Sequence, residues 1–123
     1  MKYIGIDGDN IGDRLEFFLL ESQEESIRSF SQEVELHLKK IWHALQQINA
    51  QMILCSGDSL LCKVEVIDAV LLRKAITSER TSGITFSAGI GETLKDAYIA
   101  LKYAKASGKN KIIYLENGRY ILI

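Results

Sequence analysis

The chain has 123 residues and a formal net charge of −1, and 25% of its residues are charged, which is ordinary for a globular protein and fits one domain over residues 1–123. Because positive charge is not in excess, direct binding to DNA or to a membrane surface is not expected. The sequence contains no apolar stretch long enough to span a bilayer and no opening signal-peptide pattern, so a cytoplasmic location is expected.

The first half of the chain predicts a strand, two helices and a hairpin. A short apolar run begins at Tyr3 and leads into two aspartates and a glycine-flanked turn. Residues 12–20 begin a helix, and residues 25–48 carry apolar side chains at steps of three or four, as an amphipathic helix does. Residues 51–55 and 60–65 are β-rich runs on either side of a short Gly/Asp turn, which predicts a hairpin.

The second half predicts two helices, a strand and a β extension. Apolar spacing indicates a helix over residues 67–79, a strand over 83–90 and a second helix over 93–107. Short β segments follow at 111–116 and 119–123, on either side of an Asn-Gly turn.

This order of elements predicts an α+β fold. It fits a split βαβ repeat with an antiparallel sheet, helices on one face and a C-terminal β extension. The uncovered face of such a sheet would carry small and polar residues, and the small ones let a flat or phosphorylated ligand approach the backbone closely. The residues expected on that face are Tyr3, Gly5, Asp7, Thr85, Ser87 and Gly89.

Two aspartates one residue apart follow the first strand. If that strand persists to Asp9, then Asp7 and Asp9 lie on one face and project together. Close carboxylates repel one another, a divalent cation removes that penalty, and Mg²⁺ commonly takes one or two carboxylates together with substrate phosphates. The pair therefore suits a metal site, and it also fits a polar turn in which Asp9 or Asn10 caps the next helix.

Three further features are expected near this pair. Asp58, in the hairpin turn, should lie next to the end of the first strand, so that carboxylates from two strands could hold a metal pair. Gly12 opens a helix, whose free N–H groups suit phosphate oxygens. Lys105 and Lys109 suit the β- and γ-phosphates of a nucleotide. Simpler readings stay open, because Asp is common in turns and lysine is favourable at any helix C-terminus.

Four segments occur in the order found in nucleotidyl-cyclase palm domains. They are Tyr3-Ile4-Gly5-Ile6-Asp7-Gly8-Asp9, Ser56-Gly57-Asp58-Ser59, Ser87-Ala88-Gly89-Ile90-Gly91 and Ala104-Lys105-Ala106-Ser107-Gly108-Lys109-Asn110-Lys111. The chain thus resembles the GGDEF diguanylate cyclases and the palm of the large subunit of type III CRISPR complexes. For a stand-alone chain of this size, it is most similar to the minimal CRISPR polymerase family (mCpol).

The resemblance implies a ferredoxin-like palm that uses Mg²⁺ or Mn²⁺ to make a cyclic oligonucleotide messenger, a cyclic dinucleotide, in antiphage defence. It implies that Asp7, Asp9 and Asp58 are catalytic and that they bind metal together with the Gly8 carbonyl. Implied partners are nucleoside triphosphates, a second copy of the chain in a homodimer or higher homo-oligomer, and a separate effector that senses the product. The residues implied to contact the nucleotide are Gly8, Asn10, Ile11, Gly12, Gly57, Ser59, Lys105 and Lys109.

The chain departs from the GGDEF pattern in two places. Ser59 stands where those enzymes have a second turn acid, which makes Asp9 the candidate for the missing carboxylate. The guanine-reading Asn has no counterpart, because Leu15 and Glu16 occupy that region, and the resemblance to mCpol favours ATP over GTP.

Two other functions remain open from the sequence. A degenerate palm could bind a nucleotide as a sensor without turnover, which the single acid of the hairpin turn would suit. A metal-dependent nuclease or phosphatase could use the same acidic cluster, although Lys105 and Lys109 favour the binding of a triphosphate.

Overall fold

A computed structural model describes residues 1–78 and 83–123. The elements within these residues are β1 (Lys2–Gly8), α1 (Ile11–Leu20), α2 (Glu24–Gln46), β2 (Gln51–Ser56), β3 (Ser59–Val64), α3 (Ala69–Ile76), β4 (Phe86–Gly91), α4 (Leu94–Ala106), β5 (Ile112–Glu116) and β6 (Arg119–Leu122). The third helix ends at Ile76, before its expected end, and Glu79 lies outside the described residues. No helix in the described part of the chain is both long and apolar enough to cross a bilayer.

The strands form one sheet in the order β2-β3-β1-β4-β5-β6. β1 lies at its centre and pairs antiparallel with both β3 and β4. The first four strands have the order of a split βαβ repeat, which confirms the predicted ferredoxin-like palm. β5 adds in parallel to β4 and β6 pairs antiparallel with β5, so the C-terminal β extension is also confirmed.

The main core lies between the sheet and helices α1–α3. Alternation along β1 directs Ile4 and Ile6 into this core, where both are almost completely buried. The apolar stripe of α2 packs against the same face of the sheet, which explains why a long helix with a polar outer surface is stable here. The buried residues of that stripe are Phe30, Val34, Leu38, Ile41 and Leu45.

The opposite face of the sheet is partly covered by α4. Its alanines Ala100 and Ala104 pack against Ile113 of β5 in a second, smaller core. A Cβ atom on Gly89 of β4 would lie only 2.1 Å from the Leu101 backbone nitrogen of α4. The prediction that the helices share one face is therefore correct for α1–α3 and wrong for α4. Gly89 therefore admits a helix backbone where a ligand was predicted, whereas Gly5 lines an open pocket on the same face.

Candidate active site

The site forms where β1 ends, between the β2–β3 hairpin and β4. In the sheet register, Asp7 lies opposite Ser59 of β3 and Ser87 of β4. The Ser59 hydroxyl donates a hydrogen bond to Oδ1 of Asp7. The Asp7 side chain remains 33% exposed, so the carboxylate keeps accepting capacity toward solvent or a ligand.

Asp58 lies beside Asp7, as predicted from the hairpin. The Asp58 backbone carbonyl accepts a hydrogen bond from the Gly8 N–H (3.1 Å), which ties the hairpin turn to the end of β1. Burial, and then the negative charge of Asp7, raise the pKa of Asp58 above its ordinary value. A Cβ atom on Gly8 would lie 2.9 Å from Oδ2 of Asp58, so the absence of a side chain at Gly8 permits this close approach.

Asp9 has a different environment from Asp7 and Asp58. Its residue is only 4% exposed, and four donors surround its carboxylate. These donors are the Ser87 hydroxyl (2.7 Å) and the Lys105 ammonium (2.7 Å) on Oδ1, and the Thr85 hydroxyl (2.7 Å) and the Asn110 backbone N–H (2.9 Å) on Oδ2. Burial alone would raise the pKa of Asp9, but the hydrogen bonds outweigh burial and hold the pKa below its ordinary value. Asp9 is therefore a buried, ionised carboxylate that connects the end of β1 to β4, to α4 and to the loop after α4.

Lys105 reaches from the last turn of α4 to the end of β1. Its ammonium donates to the backbone carbonyls of Asp7 (3.1 Å) and Gly8 (2.7 Å) as well as to Asp9. These three acceptors match the three N–H donors of an ammonium group. The same nitrogen lies 3.4 Å from Oδ2 of Asp7. Lys105 therefore adds positive charge beside Asp7 while its hydrogen atoms are directed at the protein backbone and Asp9.

An open cavity of about 320 Å³ lies in front of these groups. The first residues of α1 line it, and the first N–H groups of a helix have no partner within the helix. Asn10 precedes α1 in the left-handed region (φ 58°) and accepts a hydrogen bond from the Lys109 ammonium. The residues that line this cavity are Asp7, Gly8, Asn10, Ile11, Gly12, Asp13, Asp58, Lys105 and Lys109.

A second, more apolar groove of about 550 Å³ adjoins this cavity. It runs between α1, α2 and the β2–β3 hairpin, with Phe30 and Trp42 among its lining side chains, and it shares Ile11 and Asp58 with the first cavity. Gly57 lines this groove and not the smaller cavity in front of Asp7. The two spaces together could hold an aromatic base and a charged chain, with Asp58 at their junction.

The predicted nucleotide contacts therefore divide among three spaces, with Gly57 in the apolar groove. Six of them, namely Gly8, Asn10, Ile11, Gly12, Lys105 and Lys109, line the cavity itself. Ser59 instead binds Asp7 and lines an apolar pocket on the α4 side of the sheet.

The carboxylates suit a cation that arrives with a phosphorylated ligand. Among the described residues, no group of three or more His, Cys, Asp or Glu side chains is arranged to hold a metal ion. Asp7 and Asp58 are nevertheless close enough for their charges to interact unfavourably, and two carboxylates plus phosphate oxygens are the usual Mg²⁺ ligands. The Gly8 carbonyl lies at the same place but is engaged by Lys105.

Sequence reasoning did not find the residues that hold Asp9. Alternation along the strand predicted over residues 83–90 placed Thr85 and Ser87 on the same side as Asp7, but it did not indicate that their hydroxyls bind Asp9. The observed β4 begins only at Phe86, after Thr85. Asn110 carried no periodic signal, although its left-handed backbone (φ 48°) directly after Gly108 and Lys109 identifies a tight loop. The sequence did show polar residues at the end of a strand. Such residues indicate a functional site, but they do not identify which side chains bind Asp9.

Comparison with protein families gives a match over most of the chain. A family model described as the minimal CRISPR polymerase domain, mCpol, matches residues 3–115. A search among curated proteins gives no match. The matched range contains every element that lines the two cavities, from β1 to the loop after α4, and it indicates a CRISPR-associated polymerase-like or cyclase-like role.

Proposed function

The chain belongs to the minimal CRISPR polymerase family, and on that premise we propose that it is a metal-dependent nucleotidyltransferase that makes a cyclic oligonucleotide from nucleoside triphosphates. The product we propose is a cyclic dinucleotide built from ATP. It would act as a messenger in antiphage defence and be sensed by a separate effector protein. A cytoplasmic location fits that role.

One observation carries this proposal: carboxylates and two lysines meet at the N-terminus of α1. Asp7, Asp58 and Asp13 are the carboxylates that line the cavity. Lys105 and Lys109 line the same cavity and supply positive charge, with the Lys105 nitrogen 3.4 Å from Oδ2 of Asp7. Helix N–H groups and lysines bind phosphate, whereas carboxylates bind cations. A site that offers both is suited to a nucleoside triphosphate bound together with Mg²⁺ or Mn²⁺.

Each part of the chain would contribute to binding or orientation. The apolar groove beside Trp42 would take the base, and the N-terminus of α1 would take the phosphates. Asp7 and Asp58 would hold Mg²⁺ or Mn²⁺, which when bound stabilises the charge that develops during phosphoryl transfer. A ribose hydroxyl would form a bond to the α-phosphorus as the bond to the bridging oxygen breaks. Pyrophosphate then leaves, and the hydroxyl proton passes to solvent.

The acceptor nucleotide would come from a second copy of the chain. On the α4 side of the sheet, an apolar pocket of about 590 Å³ reaches the site at Asp7 and Lys105. Leu54, Leu94 and Tyr98, which line it, are each at least half exposed. A symmetric homodimer through this face would bring two sites together, and sedimentation in the presence and absence of ATP would measure it.

The proposed activity and its base preference can be measured together. Wild-type protein is incubated with each single nucleoside triphosphate and with Mg²⁺ or Mn²⁺. We expect pyrophosphate and a phosphatase-resistant product with ATP, because α1 contributes Ile11 and Leu15, and no guanine-reading Asn, to the described residues that line the groove. A product formed only from GTP would contradict the preference, and hydrolysis without a joined product would favour a nuclease or phosphatase.

A nucleotide sensor without turnover is the second candidate. It is favoured by the state of Asp9, which is bound by four protein donors and so does not join Asp7 and Asp58 as a free strand-end carboxylate at the cavity. Binding of Mg²⁺ and ATP without release of pyrophosphate would support this candidate over the enzyme.

Asp58→Asn is expected to stabilise the metal-free protein while it lowers activity. The pKa of Asp58 is raised in the folded state, so the folded protein binds more protons than the unfolded chain between the ordinary value of 3.8 and the raised value. Below this pH range the protonated Asp58 does not destabilise the folded wild-type protein. As the pH rises through the folded pKa, Asp58 ionises and the free energy of unfolding falls. At neutral pH the variant lacks this penalty and should melt at a higher temperature than wild type. Below pH 3.8 the difference should disappear.

Thermal unfolding with chelator measures this, and Asp68→Asn is the matched control. Asp68 is exposed and caps α3 by accepting from the Leu71 N–H, a role in which Asn is as good as Asp. Its melting temperature should stay near that of wild type. A destabilised Asp58→Asn with the wild-type response to Mg²⁺ and ATP would remove the hairpin turn from the site.

A further inference from the structure

The buried carboxylate of Asp9 connects four parts of the fold behind the cavity. We propose that Asp9 is a positioning residue that acts through Lys105 and Asn110, and that it does not bind metal. It would hold the Lys105 ammonium against the end of β1 and hold the loop after α4 in place. This inference rests on the proposed function, since both elements line the proposed nucleotide site.

The first argument is the accepting capacity of the carboxylate. A carboxylate has about four lone-pair sites, and Asp9 receives four hydrogen bonds from protein groups. Its side chain is only 1% exposed. A metal ion at Asp9 would have to displace at least one of these donors inside the protein, whereas Asp7 offers an exposed carboxylate nearby.

The second argument is what Lys105 does with its other hydrogen atoms. It donates to the backbone carbonyls of Asp7 and Gly8, the residues at the end of β1. A chain of contacts therefore runs from Asp9 through Lys105 to the backbone that carries the Asp7 carboxylate. If Asp9 loses its charge, the ammonium loses the one contact below 3 Å that it makes to a carboxylate among the described residues.

The third argument concerns the loop after α4. Gly108, Lys109 and Asn110 have consecutive positive φ angles of 122°, 65° and 48°, which is unfavourable for the two residues with side chains. Asp9 accepts from the backbone N–H of Asn110, while the Asn110 side chain binds both backbone polar groups of Ser78. These bonds hold the loop that presents Lys109 to Asn10 at the cavity.

The geometry also explains why an amide cannot replace the carboxylate. Each oxygen of Asp9 faces one group that can only donate: the Lys105 ammonium on Oδ1 and the Asn110 N–H on Oδ2. In Asp9→Asn, either orientation of the side chain points its NH₂ group at one of these donors. The variant is close in size to wild type, removes the negative charge that faces Lys105, and leaves one of the two positioning contacts without an acceptor.

The first measurement is the affinity for Mn²⁺ in the absence of nucleotide. The electron paramagnetic resonance signal of Mn²⁺ monitors its binding. Asp9→Asn should keep an affinity near that of wild type, and Asp7→Asn should lose most of it. Asp96→Asn, which removes the same charge near the start of α4, is the control for net charge. A loss in Asp9→Asn as large as in Asp7→Asn would show that Asp9 is a ligand and would overturn the inference.

The second measurement is the affinity for ATP in a double-mutant cycle with Lys105→Met. Asp9→Asn alone should weaken ATP binding by roughly tenfold or more, the effect of losing a hydrogen bond to a charged group. In the Lys105→Met background the same substitution should have a much smaller effect, because the contact it acts through is already gone. Additive effects would overturn the proposed route through Lys105.

Unfolding by denaturant separates these outcomes from a failure to fold. Asp9→Asn should be destabilised yet folded at low temperature, where the affinities are measured. If it does not fold, Ser87→Ala and Thr85→Val each remove one neutral donor from the same carboxylate, and they should weaken ATP binding less while leaving Mn²⁺ binding intact. Wild-type protein that binds neither Mn²⁺ nor ATP would overturn the proposed function and this inference together. If wild type binds both and Asp9→Asn behaves like Asp7→Asn, only this inference fails.

Discussion

Asp7→Asn is expected to reduce pyrophosphate release by roughly a thousandfold or more, because it removes a metal ligand that acts in the transition state. The Asp7 carboxylate is the partly exposed acid that lies beside Asp58, Lys105 and the N-terminus of α1. An amide keeps the size of the side chain and still accepts from the Ser59 hydroxyl. What it loses is the negative charge on which a divalent cation depends.

The loss of activity should not come from unfolding. Burial and the charge of Asp7 raise the pKa of Asp58, so Asp7→Asn removes a repulsion. It also removes the ion pair with Lys105 (3.4 Å), and these opposite changes should leave the metal-free protein about as stable as wild type. Thermal unfolding and pyrophosphate release measured on the same preparation separate the two effects. Asp96→Asn is the matched control and should keep wild-type activity. Near-normal turnover by Asp7→Asn would contradict a palm mechanism.

The pairing of Asp7 with Asp58 could be predicted because it depends on two strong local signals. The apolar run that ends at Asp7 and the Gly/Asp turn at Asp58 each define a strand end. In a split βαβ sheet the hairpin pairs with the first strand, and the register then brings the two ends together. This prediction needed only the two local signals and the topology of the sheet, and no information on individual contacts between residues far apart in the sequence.

The environment of Asp9 could not be predicted in the same way. It depends on where β1 stops: the strand ends at Gly8, and the Asp9 N–H then bonds to the Thr85 carbonyl (2.9 Å). One residue of strand more or less changes the direction of a side chain. The partners of Asp9 are 76 or more positions away in sequence, and no sequence pattern specifies such contacts.

The sequence did not predict that α4 lies on the opposite face of the sheet from the other helices, because glycines in a strand fit either a ligand or a packed helix. Gly5 and Gly89 lie opposite each other on β1 and β4, on the face of the sheet away from the main core. A flat strip of small residues admits a ligand or a helix backbone equally well. The sequence of α4 contains alanines at Ala97, Ala100 and Ala104, all of them buried, and these were the available sign that this helix packs at close range.

Gly89→Ala is therefore expected to cause the largest loss of stability among single-methyl substitutions in the sheet. The added Cβ atom would lie 2.1 Å from the Leu101 nitrogen and 2.3 Å from the Ala97 carbonyl oxygen, both backbone atoms of α4. A helix backbone cannot rotate away as a side chain does, so α4 must move. Overpacking of this kind lowers the free energy of unfolding by roughly 1–3 kcal/mol, and occasionally more.

Gly5→Ala is the matched control for this prediction, because Gly5 pairs with Gly89 and faces the same helix. A Cβ atom there would lie 3.7 Å from Cδ2 of Leu101, an ordinary contact, so unfolding in denaturant should show little change. A shift of α4 in Gly89→Ala would also move Lys105, which lies one turn beyond Leu101 and bonds to the end of β1. We thus expect weaker ATP binding in Gly89→Ala than in Gly5→Ala, even at temperatures where both are folded. Equal stability of the two variants would mean that α4 does not pack against β4 as closely as the structure shows.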